Sequence, residues 1–189
     1  MIVTAWFARV LAWMIAGFVG VIGLSGCTTE PGLTPPSGPY RIAEVFDGDS
    51  FNLVAANNQT VRVRIAGIDA PEKRQPYSQK SKESLEAMLA SGSIQLIPVK
   101  MDRFERWVAH VSVGQYDVGL TQIQRGYAWF FVRYQQDLDD QRQSRYREAE
   151  ASARRDGLGL WAGIAASAKN PALAPEPPWK FRERSKKEK

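Results

Sequence analysis

Alternating apolar and polar residues predict strands in the first half of the chain. In residues 61–65, apolar side chains alternate with two arginines, which is the period of a half-buried strand with the arginines on its other face. This strand is expected over 60–68, because Pro71 removes a backbone donor just beyond it. Residues 40–45 and 50–54 have strand composition and are separated by a tight Asp-Gly turn. The pattern therefore predicts three successive strands joined by short turns.

The hydrophobic period changes to that of a helix over residues 78–90. Leu85, Met88 and Leu89 fall there at i, i+3 and i+4, the spacing of an amphipathic helix. Later segments predict two more strands and two more helices, over 93–100, 107–113, 118–125 and 137–155. Five strands with about three helices predict an α+β fold. The tight turns favour a five-stranded oligonucleotide/oligosaccharide-binding (OB) barrel over residues 40–163.

Residues 1–27 have the pattern of an export signal rather than of a folded domain. An apolar run follows a short segment with one arginine and ends in Leu-Ser-Gly-Cys, which resembles a bacterial lipobox. A plain transmembrane anchor is the alternative, but Cys27 is the only cysteine and lies where cleavage would occur. Acylation at Cys27 would attach the protein to a membrane of the cell envelope, facing the periplasm or the exterior. Residues 28–39 contain four prolines and predict an extended tether.

The formal net charge of +5 is unevenly distributed along the chain. Residues 40–163 contain 17 Lys and Arg and 16 Asp and Glu, whereas residues 179–189 contain six basic and two acidic residues. Phosphate binding by the domain therefore depends on individually placed arginines rather than on overall charge. Residues 164–189, rich in Ala and Pro and then basic, predict a disordered basic tail.

The counts of cysteine and histidine exclude several kinds of site. One cysteine excludes a disulfide within the chain and a zinc site with two or more cysteines. His110 is the only histidine, so a Ser-His-Asp triad and a histidine-rich metal site are disfavoured. His110 lies in a predicted strand, where a structural or surface residue is expected rather than a catalytic one.

Carboxylates occur at the predicted turns between strands. Asp47 and Asp49 flank a glycine after the first strand, while Asp69 and Glu72 follow the third strand, which carries Arg64. Taken alone, the first pair is typical of ordinary hairpin-turn chemistry. Together, carboxylates with a nearby arginine suit a hard metal ion and a phosphate.

The ordered set of motifs resembles the staphylococcal nuclease (thermonuclease) family. Its parts are Asp-Gly-Asp-Ser at 47–50, Arg64 five residues before Asp69, Asp-Ala-Pro-Glu at 69–72 and two later glycine-containing segments at 126–129 and 157–161. The resemblance covers about residues 40–162 and implies the same OB fold. It also implies a Ca²⁺ cofactor and DNA and RNA as substrates. We expect the protein to be a monomer.

Within this resemblance, each candidate residue is assigned a role. Asp49 and Asp69 are the best calcium ligands, since Ca²⁺ prefers carboxylate and carbonyl oxygens. The resemblance adds the backbone carbonyl of Ala70 as a ligand and implies that Glu72 activates or orients the attacking water. Asp47 is expected to lie behind the ligands. Two arginines, Arg64 and Arg106, would hold the phosphate through paired guanidinium donors.

The chain departs from the family pattern near the second arginine. The usual Asp-x-Tyr-Gly-Arg is replaced by Asp102-Arg103-Phe104-Glu105-Arg106. Phe104 keeps an aromatic surface for stacking on a base, and Arg103 and Tyr134 are the other predicted substrate contacts. If the family glycine needs a positive φ, Glu105 is strained there, and its carboxylate would pair with Arg106 or repel the substrate.

The predicted function is a calcium-dependent, sugar-non-specific phosphodiester endonuclease in the cell envelope. The resemblance implies that the 5′ oxygen leaves and that the products carry 3′-phosphates. The alternative is a catalytically weakened OB-fold lipoprotein that binds nucleic acid, which Glu105 favours. A third possibility is an envelope lipoprotein whose barrel only presents a scaffolding surface.

Overall fold

The computed structural model describes residues 34–163 and 175–188. The predicted export signal with Cys27, the first half of the predicted tether and residues 164–174 and 189 of the predicted tail lie outside the described residues. Within the described ranges, no helix has the length and apolar character needed to cross a membrane.

Eight strands occur in the described part of the chain, and three of them have only two residues. In chain order they are β1 Arg41–Val45, β2 Ser50–Val54, β3 Thr60–Ile65, β4 Ile68–Asp69, β5 Ile94–Met101, β6 Trp107–Val113, β7 Tyr116–Asp117 and β8 Trp129–Phe130.

The main sheet has the order β1-β2-β3-β6-β5, and β7 pairs with β6. The pairs β1–β2, β2–β3 and β5–β6 are antiparallel, whereas β3 and β6 are parallel. Among the described residues β5 pairs only with β6 and β1 only with β2, so the sheet is open rather than the closed five-stranded barrel predicted from the sequence. The α+β class is as predicted.

The predicted third strand, 60–68, is divided in the structure. β3 ends at Ile65, and β4 pairs instead with β8, with Ile68 opposite Phe130. Gly67 between them has a φ of 73°, a left-handed conformation that glycine adopts without a Cβ clash. A Cβ there would also lie 2.6 Å from a methyl carbon of Leu138. The turn at Gly67 therefore redirects the chain away from the main sheet.

Four α-helices are present in the described ranges, one more than the sequence predicts: α1 Ser78–Leu89, α2 Val118–Gln124, α3 Asp140–Arg155 and α4 Pro178–Lys187, with 3₁₀ segments at Val132–Asp137 and Gly159–Gly163. α3 begins three residues later than predicted, because Asp139 is its N-cap and accepts a 2.7 Å hydrogen bond from the Arg142 backbone N–H.

The hydrophobic core lies between the inner face of the sheet and helices α1, α2 and α3. Phe51 and Leu53 of β2 and Val63 of β3 are almost fully buried, together with Leu85 of α1 and Ile123 of α2. The opposite face of β3 is polar, as the alternation predicts, because Arg62 is exposed and Arg64 is half-buried. This packing fixes β2 and β3, the two strands that position the carboxylates.

Helix α4 contradicts the predicted disorder of the basic tail over 178–187. Pro178 occupies its first turn, where the missing N–H costs nothing. The Trp179 ring stacks on Phe131 with centroids 5.2 Å apart and an interplanar angle of 19°. Trp179 also packs against a second apolar cluster that includes Trp129 and Trp161. This long-range aromatic packing stabilises a helix that composition alone does not reveal.

Candidate active site

The turn after β1 holds two of the predicted carboxylates. Asp47 Oδ1 accepts hydrogen bonds from the backbone N–H of Asp49 (3.0 Å) and of Ser50 (2.7 Å), so Asp47 orders the turn, as expected for a residue behind the ligands. Asp49 is only 2% exposed. A Cβ on Gly48 would lie 1.7 Å from the hydroxyl oxygen of Ser81. The turn therefore packs directly on α1 and is held rigidly.

Arg64 joins the two predicted calcium ligands. It lies opposite Ser50 in the β2–β3 register. Its Nη1 forms a short ion pair with Asp49 Oδ1, and its Nη2 donates to Asp69 Oδ1 and to the carbonyl of Ile68, both at 3.1 Å. Burial lowers the pKa of Arg64, but the charges of Asp49 and Asp69 outweigh burial and raise it, so Arg64 stays charged.

Asp49 and the segment after β4 are also joined through the backbone. The Ala70 N–H donates a 2.7 Å hydrogen bond to Asp49 Oδ2, and Asp69 is 1% exposed. Burial raises the pKa of Asp69, and hydrogen bonds from Arg182 oppose that rise. Burial, followed by the charge of Asp49, raises the pKa of Asp47 to about 7. The structure thus brings three of the predicted acidic groups into one buried, strongly coupled centre.

Arg106 reaches the same centre through Ser50. The Ser50 hydroxyl donates to Asp49 Oδ1 at 2.7 Å, and Arg106 Nη1 lies 3.5 Å from that hydroxyl. The rest of the Arg106 guanidinium pairs with Asp102, with Nε 2.8 Å and Nη2 2.7 Å from Oδ2. Both predicted phosphate-binding arginines are therefore connected to Asp49 Oδ1, Arg64 directly and Arg106 through Ser50.

The turn before Arg106 has the strained backbone that the sequence suggested. Glu105 has a φ of 59°, in the left-handed region that disfavours residues with a Cβ. Phe104 is 53% exposed, and the guanidinium carbons of Arg103 and Arg106 lie 4.8 and 5.4 Å from its ring centroid. An exposed ring between two guanidinium groups is suited to stacking on a nucleic acid base.

Tyr134, the third predicted substrate contact, lies at a different edge of the site. It is 48% exposed, its ring is 5.0 Å from that of Phe131, and the Lys100 ammonium lies 5.1 Å above it. Phe131 in turn stacks on Trp179. Tyr134 therefore borders helix α4, and the described contacts link it to that helix rather than to the carboxylates.

Arg182 of α4 is a site residue that sequence reasoning missed. Its Nη1 donates to Glu72 Oε1 at 2.7 Å, and its two Nη atoms contact the two carboxylate oxygens of Asp69 at 3.2 and 2.8 Å. Arg182 therefore forms ion pairs with both Asp69 and Glu72. The Pro-Pro-Trp segment before Arg182 was the available signal of a helix start.

The donor atoms at this centre are of the type that binds calcium, but they are not arranged around a common point. Carboxylate oxygens of Asp49 and Asp69 and the Ala70 carbonyl are the hard oxygen donors that Ca²⁺ prefers. Within residues 34–163 and 175–188, no group of three or more Asp, Glu, His or Cys side chains has an arrangement that could hold a metal. Arg64 and Arg182 form ion pairs with the carboxylates of Asp49, Asp69 and Glu72.

Comparison with known proteins places these residues in a family. The profile of the family described as "Staphylococcal nuclease homologue" matches residues 62–163, more than half of the chain. The chain is 32% identical over 139 residues to an uncharacterized endonuclease of Haemophilus influenzae, covering 74% of this chain and 71% of that protein. It is 33% identical over 155 residues to the micrococcal nuclease of Shigella flexneri, covering 77% and 81% respectively. The chain belongs to the staphylococcal nuclease homologue family.

Proposed function

We propose that this protein is a calcium-dependent, sugar-non-specific endonuclease that hydrolyses DNA and RNA phosphodiesters and leaves 3′-phosphates. Membership of the nuclease family and the endonuclease and nuclease names of its relatives support phosphodiester hydrolysis. The observation that carries the proposal is the position of Arg64, whose guanidinium contacts both Asp49 and Asp69 in a buried centre. This contact supports the assignment of phosphate-binding and metal-binding roles to neighbouring residues.

The arginines bind and polarise the phosphate in this reaction. Negative charge builds on the equatorial oxygens as water attacks phosphorus, and planar guanidinium groups match those oxygens with paired donors. Arg64 is fixed by the Asp49, Asp69 and Ile68 contacts, so little reorganisation is needed when charge develops. Arg106, which is linked to Asp49 through Ser50, would be the second guanidinium group to contact the phosphate.

Glu72 is the group that accepts the proton of the attacking water. Its backbone N–H donates to the Gln75 side chain at 2.9 Å, which fixes the start of the loop, while its carboxylate remains partly exposed. A carboxylate at this position can orient a water and accept its proton. Calcium held by Asp49, Asp69 and the Ala70 carbonyl would supply further neutralisation of the charge on the phosphate.

A catalytically weakened nucleic-acid-binding module is the second candidate, and two features of the structure favour it. Arg182 occupies the carboxylates of Asp69 and Glu72, and Glu105 strains the turn that carries Arg106. A nuclease assay of the full chain with calcium, then with an excess of chelator, separates the candidates. Cleavage that disappears with chelator supports the nuclease. Retention of single-stranded DNA without cleavage would select the binding module.

The proposal includes a lipid anchor at Cys27 in the cell envelope. Its support is the sequence alone, where the single cysteine follows an apolar run and Leu-Ser-Gly. Cys27→Ser is expected to abolish lipid attachment and to leave the protein unprocessed or released. Metabolic labelling with a radioactive fatty acid measures this directly, with the wild-type chain as the labelled control. Label retained by the Ser variant would contradict the lipobox assignment.

A further inference from the structure

Helix α4 places a guanidinium group on the acidic residues of the proposed active site. Arg182 contacts both carboxylate oxygens of Asp69 and one of Glu72, at 2.7 to 3.2 Å. This is the paired geometry that makes guanidinium–carboxylate contacts strong. Asp69 is buried, so its interaction with Arg182 is less screened by water than a surface ion pair.

Other contacts hold α4 against the domain, so Arg182 is delivered by a docked helix. The Trp179 ring stacks on Phe131 at 5.2 Å. At the start of the helix, Gln75 Nε2 donates a 2.7 Å hydrogen bond to the carbonyl of Glu176. The stacking contact buries apolar surface, and the Gln75 bond ties the segment to the loop that begins at Glu72.

The charges at the centre make Arg182 and a calcium ion alternative occupants. Three carboxylates, Asp49, Asp69 and Glu72, contact two guanidinium groups, those of Arg64 and Arg182. A doubly charged ion on the Asp69 oxygens would lie within a few ångströms of both guanidinium groups, where repulsion between like charges is strong. If Arg182 leaves, the ion restores the lost positive charge and gains access to those oxygens.

We propose that α4 is an internal plug whose Arg182 holds Asp69 and Glu72 in place of calcium, and that calcium binding releases the helix. The inference rests on the proposed function, because it takes calcium as the ion of this site. A docked plug lowers the apparent calcium affinity by the fraction of molecules whose site is open. It also occupies Oε1 of the Glu72 carboxylate, the proposed base, until the helix leaves.

Calcium titration of the full chain by calorimetry tests the plug. Arg182→Ala keeps a good helix former in α4 and removes only the group on the carboxylates. We expect this variant to bind calcium at least about fivefold more tightly than the wild type. The matched control is Arg184→Ala, which makes the same charge change on the same helix but pairs with Glu176 and Glu188, away from the centre. Its calcium affinity is expected to stay within about twofold of the wild type.

Hydrogen exchange of the 178–187 backbone gives a second measurement that does not depend on activity. Calcium is expected to accelerate exchange in the wild-type helix, whereas Arg182→Ala exchanges fast before calcium is added. Trp179→Ala, which removes the stacking on Phe131 without touching the carboxylates, should also tighten calcium binding.

The outcomes separate the plug from the proposed function. If the wild type binds calcium and Arg182→Ala binds it no more tightly, the plug is overturned. If Arg182→Ala binds calcium more weakly than the wild type, Arg182 is a positioning residue for the calcium ligands. If calcium leaves exchange of the wild-type helix unchanged, release of the helix is overturned. If neither protein binds calcium, the calcium site and the plug both fail. Binding by Arg182→Ala alone supports occupation of the site by Arg182 but overturns release of the helix by calcium.

Discussion

The two ends of the proposed active site are built in opposite ways. At the acidic end, Asp49 and Asp69 are 2% and 1% exposed, and hydrogen bonds from Arg64 and from the Ala70 N–H fix their oxygens. At the other end, the Asp102–Arg106 turn carries the exposed Phe104 ring and a left-handed Glu105.

This difference shows what determines position at each end. The acidic end is fixed by strand register, since Ser50 lies opposite Arg64, and β4 pairs with β8. The other end is a turn closed by backbone hydrogen bonds from Asp102 to Arg106 and from Glu105 to Asp102, and Asp102 Oδ1 also accepts the N–H groups of Phe104 and Arg106. A substitution at the acidic end therefore changes chemistry on a fixed frame, whereas a substitution in the turn changes geometry as well.

The largest effect is expected for Glu72→Gln, at the acidic end. The amide keeps the size of the side chain but cannot accept the proton of the attacking water, so kcat should fall by about 10²- to 10⁴-fold. Steady-state cleavage of DNA at saturating calcium measures it.

Two controls keep the interpretation of Glu72→Gln specific. Calcium affinity should not fall, since the proposed ligands are unchanged, and the far-ultraviolet circular dichroism should match that of the wild type. The amide oxygen of the variant would still accept a hydrogen bond from Arg182, but without the charge of the Glu72 carboxylate. Activity within about threefold of the wild type would remove Glu72 from its role as the base.

Asp49→Asn and Asp69→Asn come next, with calcium affinity as the readout. Each substitution removes a charged oxygen ligand, and a loss of at least about tenfold is expected. Asp102→Asn is the matched control, since it makes the same change at the other end of the site. Unchanged affinity in both acidic-end variants, or an equal loss in Asp102→Asn, would place the ion elsewhere.

The same contrast separates what the sequence predicted from what it did not. The strand composition of 50–54 and 107–113 predicted β2 and β6 with the bounds that the structure has, and α1 differs from its prediction by one residue. These are local signals, in which side-chain period alone reveals the buried face. The order of the acidic motifs likewise indicated that Asp49, Arg64 and Asp69 would converge, as they do.

The remaining features depend on contacts between distant parts of the chain. Arg182 and Asp69 are 113 residues apart in sequence, and no local pattern in the basic tail indicates their contact. The tail was therefore predicted to be disordered from its composition, although Trp179 finds a stacking partner in Phe131. The split of the third predicted strand at Gly67 was missed for the same reason, since β8, the partner of β4, lies far along the chain.

A pH dependence of opposite sign is expected at the two ends. Burial and the charge of Asp49 raise the pKa of Asp47 to about 7, so the folded state favours its protonated form. The contribution of protonated Asp47 to the free energy of unfolding is therefore lost as pH rises from about 4 to about 7. Burial tends to raise the pKa of Asp102, but hydrogen bonds from Arg106 outweigh burial and lower it. Asp102 consequently contributes stability that is lost as pH falls through its lowered pKa.

Urea unfolding at pH 5 and pH 8, with chelator present, tests the Asp47 part of this expectation. Asp47→Asn keeps an oxygen that accepts from the N–H groups of Asp49 and Ser50 but removes the buried charge. Between the two pH values, the wild type should lose about 2 kcal/mol of unfolding free energy relative to the variant. Parallel pH profiles for the two proteins would show that Asp47 does not titrate in this range.

The smallest effect is expected for Glu105→Gly, in the Asp102–Arg106 turn. Glycine adopts the φ of 59° without a Cβ clash, so unfolding free energy should rise by about 1 kcal/mol in thermal or urea unfolding. The substitution also removes a carboxylate next to Arg106, which is proposed to bind the phosphate. Together with the relief of strain, this should raise kcat/KM by about twofold to fivefold.

Glu105→Ala separates the two causes of that increase, since it removes the carboxylate but keeps the Cβ. If only the Gly variant gains activity, backbone strain restricts Arg106, whereas an equal gain in both variants points to repulsion of the substrate by the carboxylate. Arg106 pairs with Asp102, so removing Glu105 leaves its main anchor in place. A fall in kcat/KM for Glu105→Gly would mean that the left-handed turn already presents Arg106 correctly, and that rigidity matters more here than relief of strain.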